Sequence, residues 1–226
     1  MAGEPGPLEV LEEMLPLQDR DVLDVGCGEG ALVRRLACAG ARAVGIDPLS
    51  GALERARAAA GVPGARFLAG VAEDLPFADE SFDAVIFFNS LHHVAAGSLD
   101  AALAEAARVL RPGGDLYVQE PAPSGSAFEL LRPVNDETEV RRAAQEALRR
   151  ASEGAFSSIA RRELLVHVRH TNLDALREHM VSVDPARGAV FDQHAGALQE
   201  RFEVLGRPVD GGCEFDQKLL IELLRR

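Results

Sequence analysis

The chain has 226 residues, 47% apolar and 27% charged, enough for one domain with a sizeable core and ordinary for a globular protein. A formal net charge of −12 counts against a nucleic-acid partner, whose phosphates call for lysine and arginine. No apolar run approaches the roughly 20 residues of a membrane-spanning helix, and the acidic start lacks the basic and apolar stretches of a secretory signal, so a cytosolic location is expected.

In chain order, strand and helix signals alternate over residues 22–120. Val22–Val25 is a short apolar run ended by glycines, and Ala31–Ala39 reads as a helix stopped by Gly40. Ala43–Ile46 is a second strand, followed by an Ala-rich helix over Pro48–Ala60 that Gly61 closes. Ala65–Val71 and Phe82–Phe88 are the third and fourth strands. The unbroken run Val85-Ile86-Phe87-Phe88 suits a strand buried on both faces. Ser98 is placed to cap a helix carrying Leu99, Leu103, Ala106 and Leu110 on one face. Arg111-Pro112-Gly113-Gly114 stops that helix, and Leu116–Gln119 is a fifth strand. The alternation predicts a parallel sheet with helices on both sides.

Residues 121–200 read as a helical insertion without a clear strand. Asp136–Arg150 has acids in its first turn and arginines in its last. Thr171 is placed to cap a second helix, and Asp184-Pro185 to start another. Arg201–Val209 and Glu214–Leu224 read as an antiparallel hairpin turning at Asp210-Gly211-Gly212. The expected whole is a single α/β domain over 1–226: a doubly wound, Rossmann-like, seven-stranded sheet with an antiparallel C-terminal hairpin strand.

Two local patterns carry chemistry. Val22-Leu-Asp-Val-Gly-Cys-Gly-Glu-Gly30 runs a strand into three alternate glycines, where a backbone can turn tightly and a ligand can approach the main chain. The dinucleotide-binding pattern puts its third glycine one residue later. Asp47, at the end of the second strand and about 20 residues on, stands where an acid binds ribose hydroxyls in such sheets; capping the following helix is its other reading. Together the patterns imply an adenosine-containing ligand. Cys27, Cys38 and Cys213 form neither a disulfide framework nor a zinc spacing, and read as reduced thiols.

In order and spacing, DVGCGEG (24–30), GID (45–47), GVAEDLPF (70–77), SFDAVIFFNSLHHV (81–94) and RVLRPGG (108–114) resemble the class I S-adenosylmethionine-dependent methyltransferases. The nearest likeness is to the branch of the ubiquinone- and menaquinone-biosynthesis enzymes. The resemblance implies S-adenosylmethionine as cofactor and S-adenosylhomocysteine as product. It places Gly26, Cys27 and Gly28 against the methionine and ribose, with Asp24 nearby. Asp47 would take the ribose diol, Pro48 would flank the adenine, and Ala72 and Glu73 would border it. Asn89 would sit near the sulfonium, and His92 and His93 at the mouth, as candidate bases. Two departures stand out. Val71 occupies a position where relatives often carry an acid, and only 23 residues precede Asp24, leaving water exclusion to the insertion.

Glu120, on the ligand side of the fifth strand, is placed to touch substrate or to hold Arg132. His167 and His170 would share a helix face, but no metal site is expected from them. Phe128, Phe156 and Phe191 are candidates for an apolar acceptor pocket or for ordinary packing. The segment Asn89-Ser-Leu-His92 lacks the Asn-Pro-Pro-Tyr type of motif that, by family analogy, goes with methylation of adenine or amide nitrogens. The expected activity is therefore methyl transfer to a small molecule by in-line displacement. A protein or RNA methyltransferase, an inactive cofactor-binding protein and a nucleotide-dependent dehydrogenase stay open as alternatives.

Overall fold

The computed structural model describes residues 5–59, 61–183 and 185–226, with only the backbone at residue 183. In chain order the elements are α1 (Pro7–Met14), β1 (Asp21–Val25), α2 (Ala31–Cys38), β2 (Arg42–Asp47), α3 (Ser50–Ala58), β3 (Ala65–Ala69), β4 (Phe82–Phe88), α4 (Leu99–Val109) and β5 (Leu110–Pro121). Then follow α5 (Ser126–Leu131), α6 (Thr138–Ser152), β6 (Ser157–His170), α7 (Leu173–Val183), α8 (Arg187–Gln193), α9 (Ala195–Leu205), β7 (Arg207–Val209) and β8 (Gly212–Arg225). Two compact units divide the chain. One runs to Glu120 and adds Arg142–Arg162 and Leu220–Arg226; the other joins Pro121–Arg141 to Glu163–Leu219.

In the first unit the strand order is β3-β2-β1-β4-β5, continued by the C-terminal end of β8 and the N-terminal end of β6. Pairing is parallel from β3 through β5. The register sets Asp24 beside Gly45 and Ile86, Asp47 beside Ala69, and Phe88 beside Gln119. The carboxyl ends of five strands therefore finish along one edge, where doubly wound sheets bind ligands.

Alternate residues point to opposite faces of the sheet. Leu23, Val25, Val44, Ile46, Val85, Phe87, Leu116 and Val118 pack with Leu99, Ala102, Leu103 and Ala106 of α4 and with Ala144, Ala147 and Leu148 of α6. On the other face α2 lies so close that a Cβ on Gly45 would come within 2.6 Å of Val33. Helices thus cover both faces of the parallel sheet.

The second unit has its own core, in which Leu130, Leu176, Met180, Phe191, Leu198, Phe202 and Phe215 are buried together. Its β7 and β8 pair antiparallel, and with β7 counted the sheet has eight strands.

Several sequence expectations change. Residues 121–200 contain the long strand β6, whose arginines and histidines interrupt the apolar pattern that marks a buried strand. His167 and His170 stand on this strand, where an odd spacing sends them to opposite faces. Arg201–Leu205 is the end of α9 and not part of a strand. Ser98 is the N-cap residue of α4, but its hydroxyl makes no capping bond. Asn172, not Thr171, caps α7, accepting the Ala175 N–H at 2.8 Å. Asp184 lies outside the described residues, as does Ala60.

Candidate active site

The site is built on the turn from β1 into α2. Gly26 has φ +79°, and its N–H and that of Cys27 both donate to the Ile46 carbonyl at 2.9 Å. A Cβ at Gly26 would sit 2.6 Å from Cβ of Ser90. At Gly28, with φ +53°, a Cβ would meet nothing within 4 Å, so the backbone there is open to a ligand. The Gly28 N–H donates to Asp47 Oδ2 at 2.8 Å, and the Leu49 N–H to Oδ1 at 2.9 Å. Asp47 thus braces the glycine turn and caps its own loop, and each of its oxygens keeps a further lone pair for a ligand hydroxyl.

Asp24 is 2% exposed and accepts no hydrogen bond from the described residues. It lines a cavity of about 470 Å³ together with Gly26, Cys27, Glu29 and Phe88. Burial, and then the neighbouring Asp47 charge, push its pKa from the ordinary 3.8 up to about 7. An uncompensated buried carboxylate is costly, and a cationic ligand beside it relieves that cost. Burial, then Asp24 and Asp47, push the Cys27 thiol up to about 12, which leaves it a packing group and not a nucleophile. An open glycine backbone, a carboxylate awaiting a cation and a second carboxylate with spare acceptor capacity fit a cationic ligand that carries a diol.

The outer loops complete the rim. Pro48 is exposed and Leu49 is 67% exposed. Ala72 is buried and Glu73 exposed, in a turn closed by the Val71–Asp74 bridge. This turn is tied to β2 where the Gly70 N–H donates to the Asp47 carbonyl at 3.4 Å. Glu105 and Arg108 of α4 hold its far end. Glu105 Oε2 accepts the Leu75 N–H at 2.8 Å, while Arg108 donates to the carbonyls of Leu75 and Phe77. Nothing in the sequence pattern singled out that pair.

The loop after β4 is held from below. Asn89 is exposed with φ +56°, a conformation uncommon outside glycine, and its N–H donates to the Gln119 carbonyl at 2.7 Å. Ser90 Oγ donates to the Val25 carbonyl at 2.6 Å, fastening this loop to the glycine turn. Glu120 Oε1 accepts the N–H groups of Ser90 at 3.1 Å and Leu91 at 2.8 Å, and Oε2 meets Nδ1 of His92. Glu120 and His92 are both 4% exposed. His93 is exposed, its ring centroid 4.0 Å from that of His92. The expected partner of Glu120, Arg132, pairs instead with Glu129 and Asp136 on and beside its own helix. Glu120 reaches this loop because β5 lies beside β4, a pairing that sequence spacing does not reveal.

In the second unit a cavity of about 160 Å³ is lined by Phe128, Leu131, Arg141, His170, His179 and Met180, among others. Burial, then the nearby His179, hold the His170 pKa below the usual histidine value. Of the three candidate pocket phenylalanines, Phe128 lines this cavity. Phe191 belongs to the core of the second unit and Phe156 to that of the first.

Comparison with known proteins fits this geometry. Residues 23–118 match the family model described as a methyltransferase domain. An uncharacterized methyltransferase of Mycobacterium tuberculosis is 42% identical over 115 residues, which cover 50% of this chain and 45% of that protein. The fatty-acid O-methyltransferase of Mycolicibacterium smegmatis is 33% identical over 192 residues, covering 84% of this chain and 64% of that one. The chain spans about half the length of most of the curated relatives it matches. Among solved structures, the YcgJ protein of Bacillus subtilis superposes with a TM-score of 0.67 at 20% identity, covering 97% of both chains. The [4+2]-cyclase SpnF superposes with a TM-score of 0.66 at 22% identity, covering 96% of this chain and 79% of that one. These two show the fold alone.

Proposed function

We propose that this chain, a member of the class I S-adenosylmethionine-dependent methyltransferases, binds S-adenosylmethionine against its glycine turn and passes the methyl group to a small-molecule acceptor. The observation that carries the reading is the buried Asp24 carboxylate, without a donor among the described residues, beside the open backbone of Gly28.

Asp24, Gly26, Cys27 and Gly28 would hold the methionine and ribose part, and Asp47 the ribose hydroxyls. Pro48, Ala72 and Glu73 would border the adenine, and Asn89 would lie near the reacting end. When bound, the cofactor supplies a methyl group already activated on a cationic sulfur. The protein's task is then alignment, and holding two reactants in line is worth about 7–11 kcal/mol. His92, or His93 beside it, is the group on hand to take a proton from the acceptor. The second unit, with its partly apolar cavity, is the candidate for choosing the acceptor. The fatty-acid and ubiquinone-biosynthesis O-methyltransferases among the relatives support a small, lipophilic acceptor. No helix among the described residues is long and apolar enough to cross a membrane. Three unpaired cysteines suit the reducing cytosol.

The test is methyl-labelled S-adenosylmethionine with a panel of lipophilic phenols, enols and carboxylic acids, read by mass spectrometry for methylated product and for S-adenosylhomocysteine. Label in one acceptor class with stoichiometric S-adenosylhomocysteine supports the reading. A protein that binds the cofactor yet transfers no methyl to any class would instead be a cofactor-binding protein, a role the fold also permits.

A further inference from the structure

We propose that the first unit carries a second ligand site, between α2, α3 and β3, that takes a small amphipathic anion: one carboxylate or phosphate group on an apolar body. The strand order makes β3 the outermost strand on its side of the sheet. A cavity of about 440 Å³ lies there, in the size range of small-molecule sites. Arg34, Ala56, Arg57, Val62 and Phe67 are among the residues that line it.

Its cations are grouped around Phe67. Arg57 Nη2 donates to the Phe67 carbonyl at 3.1 Å. Arg34 Nη1 donates to the Glu29 carbonyl at 3.0 Å and to the Ala56 carbonyl at 3.4 Å. A Cβ added at Gly30 would strike the Phe67 ring and lie 3.1 Å from Arg34 Nη1, so ring and guanidinium meet at the end of the glycine turn. These bonds use only a few of each guanidinium's N–H groups. Neither arginine pairs with a carboxylate among the described residues, and Glu29 is taken by Arg55 at 2.7 Å. In a chain with 36 acidic side chains and 24 basic ones, two neighbouring arginines without a carboxylate are a local excess of positive charge.

The strand edge adds a donor. The Gly64 carbonyl and the Gly70 N–H face β2, so the alternation of a parallel ladder turns the backbone groups of Phe67 to the outer edge. Its carbonyl meets Arg57 there, and its N–H is left for an acceptor. Guanidinium forks suit the oxygens of a carboxylate or phosphate, while Ala56, Val62 and the Phe67 ring offer an apolar body a surface. Arginine on an edge strand also keeps other strands away, but that role needs neither the cavity nor Arg34 on α2.

The test titrates octanoate and octyl phosphate into the full chain, with octanol and inorganic phosphate as the separate halves of the ligand. Backbone amide NMR spectra locate the binding, without cofactor or acceptor. We expect at least one of the two amphipathic anions to shift the amides of Arg57, Val62 and Phe67 with a Kd below about 1 mM. The stronger of the two identifies the preferred head group, and octanol and inorganic phosphate should bind at least tenfold more weakly. Arg57→Gln, on an exposed helix position that tolerates glutamine, should lose tenfold or more in affinity for the anion and keep its Kd for S-adenosylhomocysteine within threefold. Arg35→Gln removes an α2 charge that already pairs with Glu12 and should bind the anion as the wild type does. Shifts confined to the second unit, no shift at these amides up to about 10 mM, or an Arg57→Gln variant that binds as tightly as wild type would overturn the proposal. If Arg57→Gln does not fold, the wild-type shifts and Arg34→Gln still decide it. The site does not rest on the methyl-transfer reading: a wild type that binds octanoate here but no cofactor would sink that reading alone.

Discussion

Replacing Asp24 by asparagine keeps the shape of the side chain and removes its charge, so it opposes stability to ligand binding. The folded carboxyl has its pKa raised from 3.8 to about 7. Between about pH 4 and 7 the folded chain keeps a proton that the unfolded chain has lost, so stability falls as pH rises through that window and stays low above it. About three pKa units correspond to roughly 4 kcal/mol as an upper bound. Half of that would raise the melting temperature of a chain this size by roughly 4–8 °C. Asp24→Asn should therefore melt higher than wild type at pH 8 and show little difference at pH 4. Its affinity for S-adenosylmethionine should fall tenfold or more. The same linkage predicts that the cationic ligand drives the Asp24 proton off. Calorimetric titrations at pH 6, in buffers of different ionisation enthalpy, should show most of one proton released, and almost none at pH 8.5. A variant less stable than wild type at pH 8, or binding at pH 6 without proton release, would refute the reasoning.

Gly26→Ala, which meets Ser90 and demands a positive φ, should cost about 3 kcal/mol in urea unfolding. Gly28→Ala meets nothing and should cost only about 1 kcal/mol, yet weaken cofactor binding more than its stability loss implies; equal stability losses would contradict this. Iodoacetamide at pH 8 should label the exposed Cys38 and spare the buried Cys27, as peptide mass spectrometry reads directly. Arg108→Ala removes the tie to the Leu75 and Phe77 carbonyls and to Glu105 and Asp79. It should cost about 1–2 kcal/mol, with faster amide exchange over residues 70–77.

The parallel half of the fold was legible because its strands are short, apolar and punctuated by glycine. Val22–Val25, Ala43–Ile46 and Phe82–Phe88 fall within or on the observed strands. The strand β6 was not, because its exposed alternation of arginine, histidine and valine carries no buried run. Arg201–Leu205 misled for a different reason: the alternation Arg201-Phe202-Glu203-Val204 at a helix end has the two-residue period of a strand. In the site, spacing alone drew attention to Asp24, Asp47 and the glycines. It missed what depends on register between distant strands. Glu120 reaches His92 only because β5 lies beside β4. The Ser90 contact that fastens the loop to Val25 spans 65 positions in sequence.

The most direct test of the account is calorimetric titration of S-adenosylhomocysteine into the wild type and Asp47→Ala, with melting curves for both. The wild type should bind at micromolar concentration, and the variant should lose at least 30-fold in affinity while still unfolding cooperatively. A folded wild type that binds neither S-adenosylhomocysteine nor S-adenosylmethionine, or an Asp47→Ala variant that binds as tightly, would contradict the claim that the glycine turn and Asp47 form the cofactor site.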